Sequence, residues 1–173
     1  MKIVRSVYNV VGWISERTGR AACWIVVIII GITAYDVFMR YVLNRPTVWA
    51  WASGYMLGAC FVALGLAYTH YHRGNVRVDV IYSRFSPRLK LIIDIFFSVL
   101  FFFPLIFMLT AVFIQNAWFA YSTSEFDHQS IWYPLTWPFK TLVAVGFILL
   151  FFQGAVLFLK DVMALIKGGN EPW

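Results

Sequence analysis

Four long apolar runs, separated by short polar connectors, set the pattern of the sequence. The runs cover residues 22–43, 49–71, 92–119 and 140–160. Each reaches the roughly 20 residues that an α-helix needs to cross the hydrocarbon core of a bilayer. The pattern therefore predicts an all-α membrane protein with four transmembrane helices, folded as a single domain over residues 1–173.

Prolines and a serine mark several helix ends. Pro46 is expected to stop the first helix, because proline removes a backbone donor and clashes with the preceding turn. Ser86 and Pro87 are typical of a helix start, with Ser as the N-cap and Pro at the first helical position. A helix from there to Tyr121 would be about 52 Å long, longer than the bilayer core of about 30 Å. Its first turns are therefore expected at or beyond the interface, and Pro104 is expected to bend the remainder.

Residues 1–20 show a different, amphipathic pattern. Apolar side chains recur at helical spacing at Ile3, Val7, Val10 and Ile14. Polar side chains fall among the other positions, at Arg5, Asn9, Ser15 and Glu16. This pattern predicts an N-terminal helix that lies in the membrane interface, and a helix packed on a partner protein is the alternative.

The distribution of charge predicts an orientation. Only 13% of the residues are charged, about half the share of an average soluble domain. Of the 14 Lys and Arg, 11 lie in the N-terminal segment, the connector between the second and third runs, and the C-terminal end. These three segments share one side of a four-span chain, and short basic segments face the cytoplasm. The sequence therefore predicts a multi-pass protein with both termini in the cytoplasm.

The sequence offers little for catalysis. His70 and His72 end the second run and His128 lies in a connector on the opposite side, which disfavours a haem held by two facing histidines. Cys23 and Cys60 lie inside apolar runs and are expected to behave as small apolar residues. No nucleophile-elbow, phosphate-loop or zinc-protease motif is present. We therefore expect no enzyme activity, no cofactor and no metal site.

Two charges within the first run are candidates for a function. Asp36 and Arg40 are four residues apart, so they share one face of a helix. Ionised groups at this depth are costly, and are functional candidates for that reason. Three interpretations remain open: an ion pair that fixes helix packing, a contact with a partner subunit, and direct contact with an ion or substrate.

Small residues at helical spacing mark the second run. Gly54 and Gly58 form a GxxxG pair, and small residues four apart let helix backbones approach closely in lipid. This face either closes the chain's own bundle or receives a helix of another subunit.

The connector after the second run resembles that of a known family. It reads GLAYTHYHRGNVRVDVIYSRFSPRLK over residues 65–90. Its V-x-V-D core, with Arg77 and Asp79, and its Ser-Pro-Arg helix start are similar to those of the small permease (Q-type) subunit of TRAP (tripartite ATP-independent periplasmic) transporters. The end of the first run at Arg40, the aromatic entry to the second at Trp49 and the Trp-x-Pro at Trp132 also match.

One feature departs from the family pattern. The family often places a glutamate shortly after the tryptophan that opens the second span, and this chain has Trp51, Ala52 and Ser53 there. If that acid contacts the large subunit, the contact is made differently here, and Trp51 is the candidate.

The resemblance implies a division of labour in the bacterial inner membrane. A large membrane subunit carries substrate and sodium, and a soluble periplasmic protein delivers the substrate, usually an organic acid. The small subunit binds the large one and helps to hold it among the membrane lipids; nucleic acid has no part. Candidates for subunit contacts are Asp36, Arg40, Trp49, Trp51, Gly54, Gly58, Arg77 and Asp79. Candidates on the periplasmic face are Arg45, His128, Trp132 and Lys140.

Other interpretations stay open at this point. For Arg77 and Asp79 the alternative is a plain solvated loop. For the whole chain the alternatives are a haem- or quinone-binding membrane anchor of a respiratory enzyme, and a small transporter that works alone as a homo-oligomer.

Overall fold

Helices make up most of the part of the chain that the structure describes. The computed structural model describes residues 2–72, 74 and 85–166, with the backbone alone for residues 2–9 and 87. The helices are α1 (Lys2–Val42), α2 (Val48–Tyr71), α3 (Pro87–Phe97), α4 (Phe103–Ser122) and α5 (Trp137–Ile166), and a π-helical turn (Ser98–Phe102) joins α3 to α4. Four stretches are long and apolar enough to span a membrane: Val10–Val42, Val48–Tyr71, Arg88–Ser122 and Trp137–Ile166. The predicted all-α fold with four transmembrane helices is confirmed.

Helix ends follow the local signals in the sequence. Helix α1 ends at Val42, before Pro46. Helix α3 begins at Pro87, and the Ser86 hydroxyl accepts a hydrogen bond from the Leu89 N–H (3.4 Å), as an N-cap should. Helix α5 is longer than the expected run over residues 140–160 by three residues at its start and six at its end.

The first helix differs from the prediction. The sequence predicts a separate interfacial helix over residues 1–20, whereas the structure has one unbroken helix from Lys2 to Val42. Its buried face also differs from the expected apolar one. Val10 is 55% exposed, whereas Ser15, expected on the polar face, is fully buried.

Close approach explains which face of α1 is buried. A Cβ built at Gly12 would lie 2.5 Å from the Tyr71 ring, and one at Gly19 would lie 2.4 Å from the Tyr68 ring. A larger residue at Gly19 would force α1 and α2 apart, because the Tyr68 Cβ itself lies 2.7 Å from the built Cβ, whereas at Gly12 the outer end of the Tyr71 ring would have to move. Small size, rather than hydrophobicity, therefore selects the packed face.

The helices form an open arrangement rather than a closed bundle. Helices α2 and α5 pack against each other at the centre, α1 packs on α2 and to a lesser extent on α5, and α4 packs on α5. The two flanking helices α1 and α4 share no substantial contact within the described residues. Most side chains of α1 and α4 are consequently exposed to whatever surrounds the subunit.

The central contact between α2 and α5 depends on small residues. Gly146 of α5 packs on Ala63 of α2, and a Cβ at Gly146 would lie 2.6 Å from the Ala63 carbonyl carbon. Cys60 and Val143 are buried in the same cluster. The rings of Phe113 and Phe147 pack against this cluster and stack on each other with centroids 4.5 Å apart. Tight backbone contact and aromatic packing therefore meet in one cluster that joins α2, α4 and α5.

The third span is irregular directly before its proline. The Phe103 N–H donates to the Ser98 carbonyl, five residues back, which defines the π-helical turn. Pro104 has no N–H for the Leu100 carbonyl, the normal α-helical partner four residues earlier. Such turns are a common accommodation of a break in the backbone ladder. The irregularity thus lies where the sequence predicts a bend.

Candidate functional site

Asp36 joins the end of α1 to the start of α2. One carboxylate oxygen accepts from the Arg40 guanidinium at 2.6 Å. The other accepts from the N–H of Thr47 at 3.2 Å and from its hydroxyl. Thr47 directly precedes α2, and the Asp36 side chain is only 14% exposed. Both oxygens of the predicted site residue therefore have partners within the chain.

The turn that follows α1 carries Arg45 outward. Asn44 adopts a left-handed φ of 51°, and the Arg45 N–H donates to the Met39 carbonyl at 3.0 Å. Arg45 itself is exposed at this end of the molecule. At the start of α2, the Trp49 ring stacks on Tyr35 of α1 with centroids 6.0 Å apart.

Residues 123–136, hereafter the long connector, form a compact hairpin-like loop. Phe126 and Leu135 pair as a single antiparallel bridge. The Asp127 N–H donates to the Pro134 carbonyl and the Thr136 N–H to the Glu125 carbonyl, each at 2.9 Å. These bonds give the long connector a defined shape although it contains no regular element.

Two side-chain contacts fasten the long connector to the helices. The Tyr55 hydroxyl of α2 donates to the Asp127 carboxylate at 2.8 Å, and Asp127 is buried. The Lys140 ammonium of α5 pairs with Glu125 at 2.6 Å. Lys140, a sequence candidate for the periplasmic face, is therefore engaged within the chain. Sequence reasoning missed Tyr55 and Asp127, because nothing in their local patterns links residues on different elements.

The tip of the long connector presents large side chains to the outside. Ile131 is 81% exposed and Trp132 is 51% exposed. His128, also exposed, lies beside the Tyr133 ring with centroids 6.0 Å apart. The predicted candidates Trp132 and His128 thus share one projecting surface.

The GxxxG pair of α2 takes no part in packing within the described chain. A Cβ built at Gly54, Gly58 or Gly65 would meet no atom within 4 Å. These three positions fall within about 40° of one another around the helix. We call them the glycine face; Trp51, which is 64% exposed, lies one turn before it. Among the glycines within the described helices, four others do pack: Gly12, Gly19, Gly146 and Gly154.

A buried polar contact links α1 to α5. The Ser15 hydroxyl donates to the Gln153 side-chain oxygen at 3.4 Å, and both residues are fully buried. The Gln153 side-chain nitrogen is buried without a hydrogen-bond partner among the described residues. A glutamine in the middle of an apolar run is a signal that sequence reasoning could have used.

His70 and His128 lie on different elements, and the two cysteines lie on different helices. His70 stacks on the Phe102 ring with centroids 4.9 Å apart, whereas His128 lies on the long connector. Cys60 is buried and Cys23 is exposed on α1. Within residues 2–72, 74 and 85–166, no three His, Cys, Asp or Glu side chains are grouped so as to hold a metal ion. Arg77 and Asp79 lie outside the described residues.

Comparison with known families identifies the chain. A family model described as "Tripartite ATP-independent periplasmic transporters, DctQ component" matches residues 29–163. Comparisons with curated proteins and with solved structures gave no significant match. The matched residues run from the middle of α1 nearly to the end of α5, and with four apolar helices they indicate a multi-pass protein of the bacterial inner membrane. The chain therefore belongs to the DctQ family: it is the small membrane component of a TRAP transporter, which works with a large permease subunit and a substrate-binding protein.

Proposed function

We propose that this subunit is a scaffold, which binds the large transport subunit through the glycine face of α2 and carries no substrate itself. The observation that carries the proposal is the open space at Gly54, Gly58 and Gly65. Small residues at this spacing let a second helix approach to backbone contact in lipid. The flanking Trp51 supplies a large anchor at one end of the same surface.

The contacts of the acidic side chains also support a role as a scaffold. A transport pathway needs polar groups that are available to the transported ion or substrate. Asp36 instead binds Arg40 and Thr47. Glu125 binds Lys140, and Asp127 binds Tyr55. These acids stabilise the connections between helices of this chain.

The scaffold proposal is tested by filling the glycine face. Gly58→Leu places a bulky side chain on this face, and Gly31→Leu is the matched control, because Gly31 on α1 also has no atom within 4 Å of a built Cβ. Both changes raise helix propensity, by up to about 1 kcal/mol, so neither should unfold the chain. Co-purification with the large subunit and uptake by the reconstituted complex are the measurements.

We expect Gly58→Leu to abolish co-purification and uptake, and Gly31→Leu to preserve both. A Gly58→Leu subunit that stays bound to the large subunit as firmly as the unchanged chain would refute the assignment of the interface. Equal uptake by the large subunit and its binding protein in the absence of this chain would refute the scaffold role altogether.

We propose further that the transporter is coupled to sodium and carries an organic acid. The resemblance to TRAP small subunits supports this, and the site for ion and substrate would lie in the large subunit. The test is uptake of carboxylates into vesicles that contain the whole complex, with and without an inward sodium gradient. Uptake that is unaffected by removal of sodium would contradict the coupling.

We propose that both termini lie in the cytoplasm and that the long connector faces the periplasm, where the exposed surface at His128 and Trp132 would meet the substrate-binding protein. The bias of Lys and Arg supports this orientation. Ile131 and Ile166 are 81% and 80% exposed, at opposite ends of the molecule. In a Cys23→Ser background, we expect a membrane-impermeant maleimide to label Ile131→Cys in intact spheroplasts, and Ile166→Cys only after permeabilisation. The reverse labelling pattern would overturn the orientation.

A further inference from the structure

Arg17 of α1 carries a charge that no acid balances among the described residues. Its guanidinium carbon lies 4.7 Å from the centre of the Trp13 ring, so its contact is with an aromatic face. Glu16, the adjacent acid, pairs with Arg20 at 3.4 Å instead. Both Arg17 and Trp13 are exposed, Trp13 at 56%. This face of α1 therefore presents one positive charge in excess to whatever lies beside it.

Helices α1, α2 and α5 run side by side, so positions on them can be compared in depth. The contacts that show this are Asp36–Thr47 and Gly19–Tyr68 between α1 and the chain from Thr47 into α2, and Tyr55–Phe139 and Ala63–Gly146 between α2 and α5. The two α1 positions are 17 apart and their partners 21; the two α2 positions in contact with α5 are eight apart and their partners seven. Helix α1 therefore runs antiparallel to α2 and α5, with its axis roughly along theirs.

This arrangement places Arg17 well inside the apolar run of α5. That run, over residues 140–160, is about 30 Å long, the thickness of the hydrocarbon core. Gln153 lies seven positions, or about 10 Å, from the end at residue 160. Because Ser15 is hydrogen-bonded to Gln153, Arg17 lies about 13 Å from that end. Trp13, over which the guanidinium folds, is still about 8 Å from it.

Lipid is a poor surrounding for an arginine at this depth. Ionised side chains within a membrane are costly in contact with hydrocarbon, and they face protein or a water-filled cavity and pair with other groups. The Arg17 side chain already extends toward the nearer end of the span, over Trp13, and stays about 8 Å inside it. A second copy of this chain, packed symmetrically through the same face, would bring like charges together. A carboxylate on a different membrane-embedded subunit fits this position best.

We propose that Arg17 pairs with a carboxylate of the large permease subunit, on a membrane helix that packs beside Trp13. The proposal rests on the scaffold role in one respect, because it takes the large subunit as the partner. A guanidinium presents two parallel N–H groups to a carboxylate, and none of the Arg17 N–H groups donates to a described residue. The contact is local: Gly31 lies 14 positions, or about 21 Å, farther along α1.

The test measures how tightly the full-length subunit binds the purified large subunit in one detergent. We expect Arg17→Gln to weaken binding about 30-fold or more, the low end of the loss when one partner of a buried charge pair is truncated. Arg5→Gln is the matched control, since it removes a charge of the same sign from α1 twelve positions earlier, and it should change binding by less than about twofold. Equal effects of the two changes would overturn the proposal.

Thermal unfolding of the isolated subunit separates a contact with the partner from a role within the chain. Arg17→Gln should leave the unfolding temperature unchanged, because Arg17 makes no hydrogen bond to a described residue. Weaker binding together with a lower unfolding temperature would assign Arg17 a structural role in this chain and overturn the proposal. Lost binding in Gly58→Leu but not in Arg17→Gln would refute this contact alone, and the reverse result would refute only the glycine face.

Photo-crosslinking identifies the partner group. With benzoylphenylalanine in place of Trp13, irradiation of the complete complex should join α1 to a segment of the large subunit that contains Asp or Glu. Changing that acid to Arg should restore at least tenfold of the binding that Arg17→Glu loses, because the exchange recreates the pair with its charges reversed. Crosslinks to lipid alone, crosslinks to a segment without an acid, or no recovery in the exchanged pair would each overturn the proposal.

Discussion

The Tyr55 hydroxyl donates a 2.8 Å hydrogen bond to the Asp127 carboxylate, joining two residues that are 72 positions apart. Asp127 also accepts from the Gln129 N–H at 3.0 Å, so its carboxylate organises the long connector and fixes it to α2. A buried acid of this kind stabilises the fold only while its partners remain in place.

Tyr55→Phe should loosen the long connector without altering the spans. Removing one partner of a buried carboxylate costs about 1–3 kcal/mol, so we expect a lower unfolding temperature in detergent and faster proteolysis within residues 123–136. Tyr121→Phe is the control, since Tyr121 is exposed and its hydroxyl makes no hydrogen bond to a described residue. Equal effects of the two changes would contradict the role of the Tyr55 hydroxyl.

Gly146→Ala should separate the two central helices. The added Cβ would lie 2.6 Å from the Ala63 backbone, and overpacking of this kind costs about 1–3 kcal/mol. Gly58→Ala is the matched change at an open position, and it should leave the stability of the isolated subunit unchanged or slightly raised. Thermal unfolding of the two purified variants in the same detergent is the measurement. A Gly58→Ala chain as unstable as Gly146→Ala would show that the glycine face packs within the chain.

Substitutions at the buried pair Ser15 and Gln153 should have non-additive effects on the stability of the subunit. Ser15→Ala should destabilise the subunit by about 0.6 kcal/mol, the average for polar contacts between helices in membranes, and should leave the whole Gln153 amide without a partner. Adding Gln153→Leu to Ser15→Ala should recover that loss, because replacing both partners removes the unpaired polar group. Unfolding of the two single variants and the double variant completes the cycle. A double variant that is the least stable of the three would contradict this account.

Two substitutions at Asp36 should differ in their effect on stability. Asp36→Asn keeps an oxygen that can accept from Thr47, so the connection between α1 and α2 should largely survive the loss of charge. Asp36→Leu removes the acceptor altogether and should leave the Thr47 N–H and the Arg40 guanidinium without this partner. We expect subunit yield in membranes and thermal stability to fall much further for Asp36→Leu than for Asp36→Asn. Equal losses would indicate that the ion pair with Arg40, rather than the bonds to Thr47, carries the stability.

Local signals in the sequence account for the spans and several of their ends. Hydrophobic runs longer than 20 residues leave the backbone few alternatives to a helix in lipid. Pro46 and the cap formed by Ser86 act through neighbouring atoms, and their consequences appear in the structure as expected. The spacing of Asp36 and Arg40 placed both residues on one face of a helix, and the ion pair in the structure is one of the three interpretations that the sequence left open.

Contacts between residues that are far apart in the sequence could not be predicted from local signals. Which face of α1 is buried depends on the rings of Tyr68 and Tyr71, and the sequence does not specify how far α1 is rotated about its axis. For the same reason, the sequence left open whether Gly54 and Gly58 close the chain's own bundle or receive a helix of another subunit. It did not single out Gly146, whose contact with Ala63 depends on tertiary packing.

Helix α1 is unbroken over 41 residues, which makes it about 61 Å long, roughly twice the thickness of the hydrocarbon core. A rod of that length acts as a lever: a tilt of about 10° around one end moves the other end by about 11 Å. Its first half packs against Tyr68, Tyr71 and Gln153, so such a tilt would also move the end of α2 and the middle of α5. Because the helix is continuous, a displacement of its N-terminal end would also shift the opposite end, where Asp36 joins α1 to α2.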